Sequence, residues 1–208
     1  MATNPSEVST RHTSWFTRLS PDLGDKWHAF HDAVQEGGTL DARTKELISV
    51  AAASLGRCQH CTQGHIEAAT QAGATEEDIA EAMLVSALIA SGTELHWMLD
   101  DYQDLLGEDG GKGRWFEQRT PEAGRRWREF HDAVYAESRL DRKTKELIAV
   151  AAACMGRCPH CTRAHIADAQ KHGASKEEVS EALMIAALMA SGTQLMWTKG
   201  NFEKLLSR

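Results

Sequence analysis

No basic stripe runs through this 208-residue sequence: 23 Lys and Arg are scattered among 30 Asp and Glu, for a net charge of -7. Nothing here could neutralise a phosphate backbone, so nucleic acid is excluded as a partner. The longest apolar stretches, around residues 79–90 and 179–190, are interrupted by Glu81 and Glu181 and fall short of the roughly 20 residues a spanning helix needs, so no membrane is expected. Residues 1–14 are polar and lack the apolar core of a signal peptide, which leaves the cytoplasm as the expected compartment. Alternating polar and apolar runs bounded by turn signals are missing too, so no strands are expected. Cysteine is scarce. Five are too few for a disulfide scaffold, and four of them form two Cys-x-x-Cys pairs, a spacing that in a cytosolic chain points to redox chemistry or metal binding.

What is present is a repeat. Adding 100 to a residue number between Trp15 and about Leu106 gives its match in the second half without a gap, and about half of the positions are identical. All six tryptophans fall into three such pairs, 15 with 115, 27 with 127 and 97 with 197. A unit near 100 residues is large enough to hold its own core, unlike the shorter units of repeat arrays. Gly107, Gly110, Gly111 and Gly113 lie among charged residues where apolar periodicity stops. The expected organisation is a polar segment 1–14, a first repeat 15–106, a linker 107–114 and a second repeat 115–208, with the two units packed as an intrachain pseudo-dimer.

Within a copy the period is helical. Trp27, Phe30, His31 and Val34 form one amphipathic stripe. Asp41 is placed to cap a second helix that stops at Gly56, a third begins near Cys58, and Thr75 with Asp78 and Ser175 with Glu178 have capping-box spacing for a fourth. That fourth helix is expected to end near Ser91 and Gly92, with Thr93 capping a fifth. The fold class is all-α.

Cys58, Cys61 and His65, with Cys158, Cys161 and His165 in the second copy, share one helical face, and the second cysteine and the histidine are i, i+4 neighbours. A helix N-terminus favours an anion and lowers a thiol pKa, and thiolate is the reactive form. Glu46 and Glu146 lie among residues that otherwise belong in a core. A carboxylate there must be paired, hydrogen-bonded or protonated, and a histidine or thiol across the gap would serve. Glu46 could instead be a surface residue paired with a neighbouring lysine. His31 and His131 read as interface or core histidines, the tryptophans as packing. Cys154, whose counterpart is Ser54, reads as a passive buried thiol, with a side role left open by its position four residues before Cys158. Zinc is the chemical rival: Cys58, Cys61, His65 and His60 supply four ligands, but His60 points off the shared face and Glu46 is left without a role.

The order Glu, eleven residues, Cys-x-His-Cys, three residues, His resembles the alkyl hydroperoxidase D-like branch of the carboxymuconolactone decarboxylase superfamily. It occurs as Glu46, Cys58-Gln59-His60-Cys61 and His65, and as Glu146, Cys158-Pro159-His160-Cys161 and His165. The resemblance implies two tandem alkyl hydroperoxidase D-like helical repeats, homo-oligomers (a trimer of two-repeat chains or a dimer), no metal and no organic cofactor. It implies a peroxidase that reduces a small hydroperoxide and is itself reduced by a dithiol or redox protein. By that resemblance Glu46, His65 and nearby His60 relay protons, Cys61 attacks and Cys58 resolves; Glu146, His165, His160, Cys161 and Cys158 correspond. Decarboxylase members act on a lactone without needing a cysteine pair, so a lyase with Glu46 and His65 as acid and base is the alternative. Pro159 in place of Gln59 is compatible with a helix start and could shift the second site's redox poise.

Overall fold

Residues 14–106 and 115–206 are described in the computed structural model, and among them every regular element is an α-helix. The first repeat contributes α1 (Trp15–Leu19), α2 (Pro21–Glu36), α3 (Ala42–Leu55), α4 (Gln59–Gln71) and α5 (Glu76–Leu106). The second contributes α6 (Trp115–Arg119), α7 (Pro121–Tyr135), α8 (Arg142–Met155), α9 (Pro159–Lys171) and α10 (Lys176–Leu206). The polar segment before Ser14 and the 107–114 linker lie outside the described residues.

The helix starts follow local chemistry. Pro21 and Pro121 occupy first-turn positions whose missing N–H goes unneeded. Asp41 and Asp141 accept the backbone N–H of Thr44 and Thr144 at 2.9 and 2.8 Å. Thr75 with Asp78, and Ser175 with Glu178, exchange the reciprocal bonds of capping boxes. One expected boundary does not exist. Residues 76–106 form a single helix with no break at Ser91 and Gly92, and the Thr93 hydroxyl bonds back to the Ala90 carbonyl within the helix instead of capping a new one.

At the centre, α3 and α8 pack on one another, and both α5 and α10 pack on that pair. The alanine runs 51–53 and 151–153 are wholly buried, as are Leu47, Ile48, Leu147 and Ile148; the small side chains let the backbones approach. The expectation that each repeat holds a core of its own gives way here, since one continuous cluster spans both. The amphipathic opening helices are exchanged across the pseudo-dimer: α2 packs on α10 and α7 on α5. Each exchange is pinned by a tryptophan, with Trp27 Nε1 donating to Ser191 Oγ at 3.0 Å and Trp127 Nε1 to Ser91 Oγ at 2.8 Å.

A second reciprocal contact joins the long helices to the loops before α3 and α8. Glu181 accepts the backbone N–H groups of Thr39 and Leu40 at 2.6 and 3.1 Å, and Glu81 those of Arg139 and Leu140 at 3.2 and 3.0 Å. Gly38 takes a left-handed φ of 91° beside Glu181, where a side chain would run into the carboxylate. Buried Lys45 donates to the carbonyls of Val34 and Gly37, and Lys145 to that of Ala136. These contacts also place α10. By length and composition Lys176–Phe202 is apolar enough to cross a membrane, contrary to the reading from its interrupted apolar run. In the fold its Ala182, Ile185, Leu188 and Met189 are buried, and the helix packs on α3 and α8.

Candidate active site

Each Cys-x-x-Cys lies at the corner where a buried central helix ends and a shorter one begins. Helix α3 stops at Gly56, Arg57 follows with φ 53°, and Cys58 is the N-cap of α4; Gly156, Arg157 (φ 54°) and Cys158 repeat the turn before α9. The other repeat presses on both corners. A Cβ on Gly56 would lie 2.6 Å from Thr193 Cγ2, and one on Gly156 would lie 2.9 Å from Thr93 Cγ2, so any side chain there would have to displace the threonine. Cys58 is bonded to Cys61, and Cys158 to Cys161. In each copy the first sulfur also accepts the backbone N–H of the second cysteine, at 3.2 and 3.1 Å, a hydrogen bond that stabilises negative charge on that sulfur.

Helix α3 brings Glu46 to α4, where its Oε2 lies 2.6 Å from His65 Nδ1; the corresponding Glu146 and His165 atoms are 2.8 Å apart. The glutamate is therefore not a surface residue paired with lysine. A carboxylate can only accept, so the histidine donates from Nδ1 and its Nε2 is turned away from the glutamate. Position 60 is not part of this pair. His60 and His160 are exposed, and His160 packs against His96 of the first repeat with ring centroids 4.6 Å apart. His31 and His131 lean on Trp27 and Trp127, as their place in the aromatic stripe suggests. Cys154 is exposed and unbonded, not buried as its alanine-rich setting suggests. Among the described residues no three His, Cys, Asp or Glu side chains converge as a metal site.

The two copies differ in what surrounds the pair. Glu46 has His65 and is partly exposed, whereas Glu146 is wholly buried and also accepts Arg142 Nε and Nη2 on Oε1, at 2.8 and 2.7 Å. Arg142 lies over the Tyr135 ring, 4.1 Å from its centroid, and the Tyr135 hydroxyl lies 3.4 Å from His165 Nδ1. Burial, reinforced by the Glu146 charge, pushes the Tyr135 phenol far up, so it stays protonated. In the first repeat Gln35 and Ala42 hold these positions, and Gln35 donates to Ser49 at 3.0 Å while its Oε1 is buried without a partner among the described residues. Sequence reading missed Tyr135 and Arg142. The signal was available at the 100-residue offset, where Gln35, Ala42 and Ser49 change together to Tyr135, Arg142 and Ala149.

Two cavities open at the second corner. One of about 550 Å³ is lined by residues from Cys154 to Ile166, and one of about 230 Å³ lies against Thr93, Glu94 and Trp97 of α5; Arg157, Cys158 and Pro159 line both.

Comparison with known proteins follows the same two-fold division. The sequence profile of the carboxymuconolactone decarboxylase family matches residues 21–100 and again 121–200. The Paracoccus denitrificans protein named uncharacterized protein 4 in cox locus is 44% identical over 76 residues, covering 36% of this chain and 68% of that protein. An uncharacterized protein of Haemophilus influenzae is 37% identical over 65 residues, 28% of this chain and 58% of its own length. A crystal structure from Burkholderia xenovorans LB400, described as a gamma-carboxymuconolactone decarboxylase subunit, superposes with a TM-score of 0.75 at 20% identity, over 99% of this chain and 98% of that one. That likeness is one of fold. With both repeats matched separately and the fold shared from end to end, the chain belongs to the carboxymuconolactone decarboxylase family, as a tandem duplication.

Proposed function

We propose that the protein is a thiol-dependent peroxidase with one site per repeat, reducing a small hydroperoxide at the cysteine pair. The observation that carries this reading is the disulfide at each helix start, on the same short helix as a histidine held by a glutamate at 2.6 or 2.8 Å. In the reduced site the His65 Nε2 lone pair takes the Cys61 proton, while Glu46 holds the ring orientation and stabilises the imidazolium. The Cys61 thiolate attacks the terminal peroxide oxygen; the O–O bond breaks, the alkoxide leaves with a proton as alcohol, and Cys61 becomes a sulfenic acid. Cys58 then attacks the Cys61 sulfur and expels water, forming the disulfide. Its own thiolate is favoured for this step by the Cys61 N–H at 3.2 Å. A dithiol or redox protein restores both thiols, and Glu146, His165, Cys161 and Cys158 act alike.

The test is turnover of an organic hydroperoxide with a thiol reductant. A Cys61→Ser, Cys161→Ser double variant is expected to lose it; parent-like turnover would overturn the proposal. A lyase acting on a carboxylated lactone through Glu46 and His65 has the family's name in its favour. It would be recognised by lactone-derived activity that survives loss of both cysteine pairs.

A further inference from the structure

The cavity of about 550 Å³ at the second corner falls in the size range of small-molecule sites, and its chemistry is one-sided. Cys158 of the disulfide lines it, with Ile166 and Pro159 as apolar wall and the free thiol of Cys154 on the α8 side. Its charged residues are the exposed Arg157 and Arg163, and among the described residues no acidic one lines it. Neither guanidinium is engaged in an ion pair or side-chain hydrogen bond among the described residues. All this occurs on a chain of net charge -7.

One more observation sets this corner apart. The first repeat keeps Arg57 in the same left-handed conformation, φ 53° against 54° for Arg157, but lacks half of the set, with Gln63 and Ser54 where the second has Arg163 and Cys154. Ser54 is turned to Ser86 and the Ala51 carbonyl, whereas position 186 is alanine.

We infer that this cavity is a binding site for an anionic low-mass thiol, one carrying carboxylate groups, which reduces the second repeat's disulfide by attacking Cys158. The inference rests on the thiol redox reading of the site. The carboxylates pair with Arg157 and Arg163 while the thiolate approaches Cys158 Sγ. The Cys158–Cys161 bond breaks, Cys161 leaves as a thiolate and takes a proton from solvent, and the thiol is joined to Cys158 as a mixed disulfide. A second molecule of the thiol attacks the outer sulfur of that bond and leaves with it as a small-molecule disulfide, freeing Cys158. Two thiols are oxidised and one protein disulfide is reduced. The smaller cavity on the other side of Cys158 carries Glu94, so an anion is directed to the Arg163 side.

In the oxidised protein Cys154 is the free cysteine, which makes it a reporter of the cavity without any peroxide. Its labelling rate is measured with the dianionic dithiobis-nitrobenzoate and with neutral dithiodipyridine. An Arg157→Gly, Arg163→Gln variant, which relieves the left-handed residue and copies the first repeat's glutamine, is expected to slow the dianionic reagent about tenfold and leave the neutral one unchanged. Raising the salt concentration on the parent protein should slow the dianionic reagent alone, a measurement independent of how the variant folds. Reduction by mercaptosuccinate should place a mixed disulfide on Cys158 ahead of Cys58, by mass spectrometry, with no such order for mercaptoethanol. Equal effects on both reagents, no effect of salt, or equal labelling of Cys58 and Cys158 would each overturn the inference. Peroxidase turnover with no anion preference sinks the inference alone, whereas an anion preference without turnover sinks the peroxidase proposal alone.

Discussion

Replacing Glu146 by Gln keeps the shape of the side chain and removes its charge, and the same change at Glu46 is its internal control. Glu146 is fully buried and serves three donors: Arg142 Nε and Nη2 on one oxygen, His165 Nδ1 on the other. The amide oxygen can satisfy one side; its NH₂ then faces a donor, and Arg142 is left without its counter-charge. Breaking a buried ion pair costs about 3–5 kcal/mol. The Arg142 side chain is 34% exposed, so water recovers part of that loss, leaving about 2–3 kcal/mol. Glu46 is partly exposed and among the described residues holds only His65, so Glu46→Gln should cost about 1 kcal/mol. A difference of roughly 1–2 kcal/mol corresponds to a thermal midpoint some 3–6 °C lower for the Glu146 variant in a chain of this length. Thermal and urea denaturation at neutral pH would measure it, and adding Arg142→Ala to Glu146→Gln should recover part of the loss. Equal midpoints for the two single variants would refute the claim that Arg142 makes the second site electrostatically different.

The corners between central and short helices should be equally sensitive to bulk. Gly56 has an ordinary helical φ of -68°, so Gly56→Ala adds no backbone strain, and a cost of about 1–3 kcal/mol would come from Thr193 alone; Thr193→Ala should relieve it in a double-mutant cycle, and additive effects would refute the contact. Acid should loosen the contacts between repeats. Burial works to raise the Glu81 and Glu181 carboxyls, but backbone N–H donors and the nearby Lys145 and Lys45 outweigh it and hold both below the ordinary range. Their folded pKa values being depressed, the stabilisation is complete above roughly pH 4.3, the usual glutamate value, and is lost as pH falls through the folded values. The thermal midpoint should therefore drop in acid, and less steeply for Glu181→Gln than for the parent; identical slopes would count against the clamp.

Much of the helix pattern was legible because it is local. The stripe of Trp27, Phe30 and Val34, the Asp41 cap and the Thr75–Asp78 box are written within a few residues and reappear 100 positions on. The Glu46–His65 pair was legible as a need, since a carboxylate in an alanine-rich helix wants a partner, and the fold supplies it at 2.6 Å. What was hidden depends on distant contacts. Nothing near Ser91 and Gly92 tells that Trp127 will bond Ser91 and let α5 run on, and His160 faces His96 only because α9 meets α5. The shared core was misread for the same reason: each repeat looks self-sufficient until α2 and α7 are seen to lie on the other's long helix.

That exchange of opening helices has a consequence for how the two sites can diverge. Two separate copies of one repeat, associating with the same exchange, would carry every substitution twice, and a tyrosine and an arginine suited to one pocket would be forced on the other. Joined in one chain, the halves meet at an effective concentration set by their tether instead of by expression level, and the symmetry of the assembly becomes optional. Tyr135, Arg142, Cys154 and Arg163 all lie on one side of it. Covalent linkage thus turns a symmetric pair into a template with one half free to vary, while the shared core keeps both halves folding as one.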